Sequence, residues 1–395
     1  MRRPPSKGFL AALASISLIG PLSVHLFLPV MPEIKKAFGI SAALVGLTFA
    51  VTLVVMACVT LVYGSLSDRY GRRPVLLTGL FLFGAGSAVS AISWSVSSLV
   101  AGRIIQALGA GCGVTLARAI ARDAYGSEGL VKVIAYLTMA YTLGPMISPL
   151  FGGVLSDAFG WRSVFWFALL SGAAIATAAY VVLHETHPGN EFEPRPSGML
   201  PNFAALLAQP RFVAYVLQTG FSSGTFFAMA TAAPFLMKDY LGRSATEFGV
   251  YFLFFPIGFL LGNLLSSRLS QRASIDSMVL AGSLVAVAAV AFQSAMILGG
   301  ILTPLIIFIP GFTISFAQGM ALPNAQVGAL RVLPGLSGTA SGIGVFFQMF
   351  LGATFSQIYS MLADGTPMPM VITVSAGALL TLLAGIAPLV LRRRE

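Results

Sequence analysis

The sequence predicts an all-α membrane protein with twelve transmembrane helices in two six-helix bundles. Three observations predict it. Only 9% of the 395 residues are charged and 57% are hydrophobic, whereas a soluble domain carries about 25% charged residues. The chain has too little polar surface to face water, so lipid is its solvent. Apolar runs of about 20 residues, the length that crosses a bilayer as a helix, recur along the whole chain. One long polar, Pro-rich stretch divides them near the middle. Helices are required, because lone strands would leave backbone N–H and C=O groups unpaired in hydrocarbon.

The first run, 9–30, follows Arg2, Arg3 and Lys7. It is too long for the apolar region of a signal peptide, and no small-residue cleavage site follows it. It therefore reads as an uncleaved span. Runs at 43–63, 74–93, 97–118, 131–155 and 162–183 complete a first set of six. Residues 184–210 carry Pro188, Pro194, Pro196, Pro201 and Pro210 with Glu185, Glu191 and Glu193, and read as a linker. The second set is 212–234, 247–267, 277–298, 303–325, 338–362 and 369–391. The expected domains are thus 1–183 and 211–395, joined by a cytoplasmic 184–210. With the N-terminus inside, 17 of the 23 lysines and arginines fall on the cytoplasmic side, five fall outside and Arg103 lies within span 4. That bias sets both termini in the cytoplasm. A shift of 199 residues lays 64–73 over 263–272 with Leu, Ser, Arg and Arg coinciding, as parallel six-span repeats would.

The net charge of +10 does not point to nucleic acid, because the cations are scattered over short loops rather than gathered on one face. Cys58 and Cys112 lie inside apolar runs and read as small buried hydrophobes, without a disulfide framework or metal spacing. None of the five lysines precedes Ser or Thr, so a Walker A phosphate loop is absent. Gly109, Gly111 and Gly113 follow no strand and read as packing positions. His184-Glu185-Thr186-His187 lacks the spacing of a helical zinc motif. With no activated nucleophile in view, the chain is expected to be no enzyme and to need no cofactor or metal. Moving a solute is the work that remains.

Residues 64–76 read Gly-Ser-Leu-Ser-Asp-Arg-Tyr-Gly-Arg-Arg-Pro-Val-Leu. Ions are costly away from a water interface, so this charged turn belongs at the membrane surface. Gly64 and Gly71 permit a tight backbone there, and Arg69, Arg72 and Arg73 hold it at the cytoplasmic face. The pattern G-x-L-x-D-R-x-G-R-R-x-x-L resembles the signature loop of the major facilitator superfamily at every specified position. The resemblance implies the major facilitator fold, with pseudo-two-fold symmetry between the bundles, and a secondary transporter. It implies that Asp68 latches the halves by meeting the N-terminus of span 11, and that Asp123 pairs with the turn's arginines. A topology anchor is the other reading of the turn. Ser267 and Ser270 stand at the acid and glycine positions of the second-half copy, so any latch is one-sided.

Span 5 carries Gly144, Pro145, Ser148, Pro149, Gly152 and Gly153. Gly144, Ser148 and Gly152 stand four apart on one face, where a partner helix can come close. The prolines favour a bend. The stretch resembles the superfamily's antiporter motif G-x-x-x-G-P-x-x-G-P-x-x-G-G, with Ala140 and Ser148 replacing two glycines. Gly258 and Gly262 in span 8 repeat the spacing and suit sliding contacts between halves. Arg103-x-x-Gln106-x-x-Gly109 resembles the family's R-x-x-Q-x-x-G signature, which implies a part in proton coupling or substrate binding; a structural arginine is the alternative. His25-Leu-Phe-Leu-Pro29-Val-Met-Pro32 resembles the D-x-Y-L-P-x-x-P of the bicyclomycin and chloramphenicol exporters, with histidine in place of the acid that is proposed to carry the proton there. None of the 13 acids lies deep in a span. An imidazole titrates near neutrality, so His25 reads either as the proton switch or as a histidine bonded to a neighbouring helix.

A midplane cavity between the halves is expected, with Tyr136, Tyr141, Gln218, Phe226, Phe255, Gln318, Asn324 and Gln348 as lining candidates. The resemblance implies a bacterial inner-membrane drug:proton antiporter, a monomer with an amphipathic small molecule, protons and the bilayer as partners. A metabolite transporter on the same scaffold stays open beside it.

Overall fold

The computed structural model describes residues 7–187, 199–270 and 272–392. Arg2, Arg3, Arg195, Arg393, Arg394 and the linker residues 188–198 lie outside the described residues. Those described are helical apart from short connections, with no strand among them. Among the described residues, eleven helices are long and apolar enough to cross a membrane. Spans 1 to 6 are Lys7–Phe38, Ala42–Tyr70, Arg72–Ala91, Val96–Gly126, Lys132–Phe159 and Arg162–Val182. Spans 8 to 12 are Ala245–Leu269, Ile275–Leu298, Pro304–Val332, Pro334–Leu362 and Met368–Leu391.

Span 7 is the helix Pro210–Phe235, and it is less apolar than the rest for a physical reason. Of its 26 residues, 20 are buried, against spans 10, 11 and 12. A helix enclosed by protein needs no lipid-soluble surface and can use hydroxyls as interhelical glue. Thr231 Oγ1 and Ser356 Oγ are 2.7 Å apart, and Gln318 Nε2 donates to Ser223 Oγ at 3.3 Å.

Several spans run longer than the apolar runs that announce them. The turn expected at 64–76 is helical up to Tyr70, and Gly71 alone breaks the chain, with φ +93°. Gly64 therefore sits within a helix, and no atom stands within 4 Å of a Cβ built on it. Spans 4 and 5 are divided at Gly126 (φ 63°, ψ −172°), a backbone state favoured by glycine. Span 1 is discontinuous. Helices Lys7–Ser17 and Ile19–His25 are followed by a bend at Leu26–Phe27, a short turn at Leu28–Val30 and the helix Met31–Phe38. Pro29 and Pro32 withhold N–H groups from the helical ladder in that stretch.

The chain divides into two compact units, Met1–Ile40 with Leu47–Pro194 and Ser41–Gly46 with Arg195–Glu395. In the first, spans 3 and 4 meet backbone to backbone. A Cβ at Gly86 would lie 2.1 Å from the Gln106 N, and one at Gly109 would lie 2.2 Å from the Phe83 N. In the second, Gly258 and Gly262 face the carbonyls of Phe312 and Phe316 at 2.3 and 2.0 Å from a built Cβ. Their partner is span 10 of the same unit, and that close contact holds the unit together.

Candidate functional site

In the first unit the turn at Gly71 is an ion network. Arg72, expected at the water face, is only 3% exposed. Its Nε donates to Asp123 Oδ2 at 2.9 Å, and its Nη1 reaches Asp68 Oδ1 and Ser67 Oγ, each at 2.5 Å. Asp68, at the end of span 2, is thus engaged across the Gly71 break by the first residue of span 3. Arg73 Nη2 donates to the Tyr180 carbonyl at 2.8 Å while its guanidinium lies 5.0 Å from the Tyr180 ring. Arg69 lies over Tyr70 at 5.2 Å. Glu185, which the sequence offered as a linker residue within a stretch lacking zinc-motif spacing, closes the network. Its two carboxylate oxygens accept from the Arg72 N at 3.0 Å and the Arg73 N at 3.1 Å. These are orphan donors at the start of span 3, where a carboxylate also meets the positive end of the helix dipole. A Cβ at Gly71 would stand 2.9 Å from Glu185 Oε2, so glycine admits this cap sterically as well as by its φ.

Deeper in the same unit, Arg103 is 1% exposed. Its Nη1 donates to Gln106 Oε1, and Gln106 Nε2 donates to Ser87 Oγ at 2.8 Å. The guanidinium lies 4.5 Å from the Phe27 ring and 6.0 Å from that of Phe165. Nε and Nη2 find no hydrogen-bond partner. A cation so deeply buried is expensive unless compensated; here one amide oxygen and two ring faces supply the compensation. Phe27 belongs to the bend of span 1, so the arginine and the break meet.

Span 1 also packs on the small-residue face of span 5. A Cβ at Gly144 would lie 2.2 Å from Pro21 Cβ, and one at Gly152 would lie 2.6 Å from the Leu26 carbonyl and 2.8 Å from Pro29 Cγ. Ser148 stands one turn from each glycine. His25 stands one turn beyond Pro21, at the end of the helix Ile19–His25. His25 and Ser148, which depart from the motifs they resemble, thus lie on the two helices that meet at these glycines. His25 is 8% and Ser148 1% exposed. Ser148 Oγ and, in span 1, Ser23 Oγ make no hydrogen bond. Pro145 and Pro149 lie inside the span 5 helix, and Gly153 is buried. Tyr136 is 43% exposed and Tyr141 half-buried.

In the second unit the lining candidates scatter. Gln218 is buried, and its Nε2 donates to Ser283 Oγ at 3.3 Å between spans 7 and 9. Phe255 is 1% exposed, with Phe252, Phe308 and Phe226 rings centred 4.8, 5.7 and 5.6 Å away. Both side chains are interior to the unit. Asn324 Nδ2 donates to Ser266 Oγ at 2.7 Å and to the Met320 carbonyl at 2.8 Å. Phe226, Gln318 and Gln348 are half-buried, and Gln348 Nε2 has no partner. In the loop before span 12, Asp364 Oδ1 accepts from Thr366 Oγ1 at 2.7 Å and Thr366 N at 2.8 Å. These bonds hold the Asp364 carboxyl below the usual range, so it stays ionised at neutral pH.

Residues 13–357 match the family described as Major Facilitator Superfamily. The chain is 27% identical to a bicyclomycin resistance protein homolog of Haemophilus influenzae, over 95% of this chain and 94% of that one. It is 25% identical to multidrug resistance protein D of Escherichia coli, covering 92% and 91%. Among solved structures, a bacterial homolog of the human lysosomal transporter Spinster superposes with a TM-score of 0.80 at 17% identity, covering 98% of both chains. The signature turn, the buried arginine motif and a match across most of its length place this chain in the major facilitator superfamily, as a multi-pass membrane transporter.

Proposed function

We propose that the chain exports amphipathic drugs in exchange for protons, by alternating access, in a bacterial inner membrane with both termini cytoplasmic. The observation that carries this reading is the buried constellation of the first unit. Arg103 keeps two nitrogens without partners and lies against Phe27 at the bend of span 1, the helix that carries His25 and packs on the antiporter-type face of span 5. A discontinuous helix beside a buried cation that lacks a carboxylate partner is how transporters of this kind build ion and substrate sites. His25 takes the proton-carrying role, Arg103 disfavours the charged imidazolium until solute or proton movement repays it, and the Arg72–Asp123 network around Gly71 governs the conformational change. The names of the two relatives, bicyclomycin and multidrug resistance, supply the substrate class. Tyr136, Tyr141, Phe226, Gln318, Asn324 and Gln348 are the side chains proposed to meet substrate. Residues 1–183 and 211–395 act as two rocking bundles of one monomer.

A transporter of a metabolite is the second reading, favoured by histidine at the position where the drug exporters carry an acid. Expression in a bacterium stripped of its own exporters separates the two. Drug export predicts lower accumulation of chloramphenicol or a dye, restored to the level of cells lacking the protein when a protonophore collapses the gradient. Unchanged accumulation for every amphipathic compound tried would favour the metabolite.

A further inference from the structure

At one end of the second unit, spans 7, 9 and 10 enclose a cavity of about 460 Å³ beside the 270–274 turn. Two arginines from different helices line it, Arg211 at the start of span 7 and Arg331 in the last turn of span 10. Its acid is Asp276, 3% exposed in the first turn of span 9. That carboxylate is already answered from within. Tyr215 donates to its Oδ1, and Arg211 Nη2 stands 3.5 Å from its Oδ2. Arg331 is exposed and meets no carboxylate among the described residues. The hydroxyls of Ser270 and Ser274 border the same space. The site therefore carries one cation that meets no carboxylate among the described residues, and an open side, at the ends of spans 7, 9 and 10. Neither the proposed proton path nor the signature turn uses any of these residues.

We propose that this cavity binds a phosphate group, the chemistry shared by an anionic phospholipid headgroup and a free phosphate. Basic pockets between helix ends hold lipid headgroups by this combination of charge and enclosure. Arg331 supplies the charge, and Arg211, held in place by the Tyr215–Asp276 pair, is the second arginine at the cavity wall.

The test uses the purified full chain in neutral detergent, with phosphatidylglycerol, phosphatidylcholine and inorganic phosphate as probes. Retained lipid is read by native mass spectrometry and melting temperature by thermal unfolding. A headgroup site predicts that phosphatidylglycerol is held about fivefold more tightly than phosphatidylcholine. Arg331→Gln loses that preference without a change in ligand-free melting temperature. Arg331→Lys retains it, as does Arg268→Gln, which removes an exposed arginine outside the cavity. Stabilisation by inorganic phosphate that Arg331→Gln abolishes, without a lipid preference, supports the site and assigns it to a free phosphate. Equal retention of both lipids with no phosphate effect, or any preference that survives Arg331→Gln, overturns it.

Discussion

Arg72 and Arg103 are both buried arginines, and their surroundings set them apart. Arg72 has two carboxylates and a hydroxyl within reach; Arg103 has one amide oxygen and two aromatic faces. Breaking a buried ion pair from one side strands the other charge, at about 3 kcal/mol. Asp123→Asn leaves Arg72 its Asp68 partner and should lower the unfolding free energy by less, about 1–2 kcal/mol, seen as a fall in melting temperature. Phe27→Leu removes a ring face from Arg103 and should cost about 1 kcal/mol. Its larger effect should fall on transport, because the arginine loses its orientation. Ser148→Ala removes a buried hydroxyl without a partner, which costs about 1–3 kcal/mol to bury. The variant should melt higher and yet transport more slowly, since the hydroxyl sits on the face of span 5 that packs against span 1. A higher melting temperature with unaltered transport would make Ser148 a packing residue. The types at these positions were legible in the sequence, because a charge inside an apolar run is conspicuous. Facing directions were not. Gln218 and Phe255 read as cavity candidates by type, but spans 7 and 8 turn them inward.

At the scale of the helix, glycines that look alike in sequence do different work. Gly152 lies against the Leu26 carbonyl, while Gly64 has open space around it. Gly152→Ala forces the backbones of spans 1 and 5 apart and should destabilise by about 1–3 kcal/mol. Gly64→Ala adds a methyl group to a helix with room for it and should be neutral or stabilise by up to about 1 kcal/mol. Paired thermal unfolding of the two variants checks this. The start of span 3 depends on a residue 113 positions away, for Glu185 caps Arg72 and Arg73. Glu185→Ala should cost about 1–2 kcal/mol and loosen the turn. No periodicity or composition reveals such a cap, because the partners meet only after six spans have folded. Span 7 shows the reverse limit. Its run was long enough to identify, yet its hydroxyl-rich interior lowers the hydropathy that marks a span.

Over the whole molecule, the solvent dictates what can be read from sequence. Lipid demands long apolar helices, so the succession of spans follows from hydrophobic runs and their charged ends. It demands no particular rotation of each helix, so which faces meet is decided by packing. The central claim couples a solute to a proton through the contact between span 1 and span 5. The measurement that tests it most directly is drug-evoked proton flux in liposomes holding the purified protein, an imposed pH gradient and a pH-sensitive dye inside, with wild type beside His25→Ala. The account predicts that adding drug to wild type moves protons down their gradient and that His25→Ala abolishes this movement while the protein stays folded. Drug-evoked flux that persists in His25→Ala at the wild-type rate would contradict it.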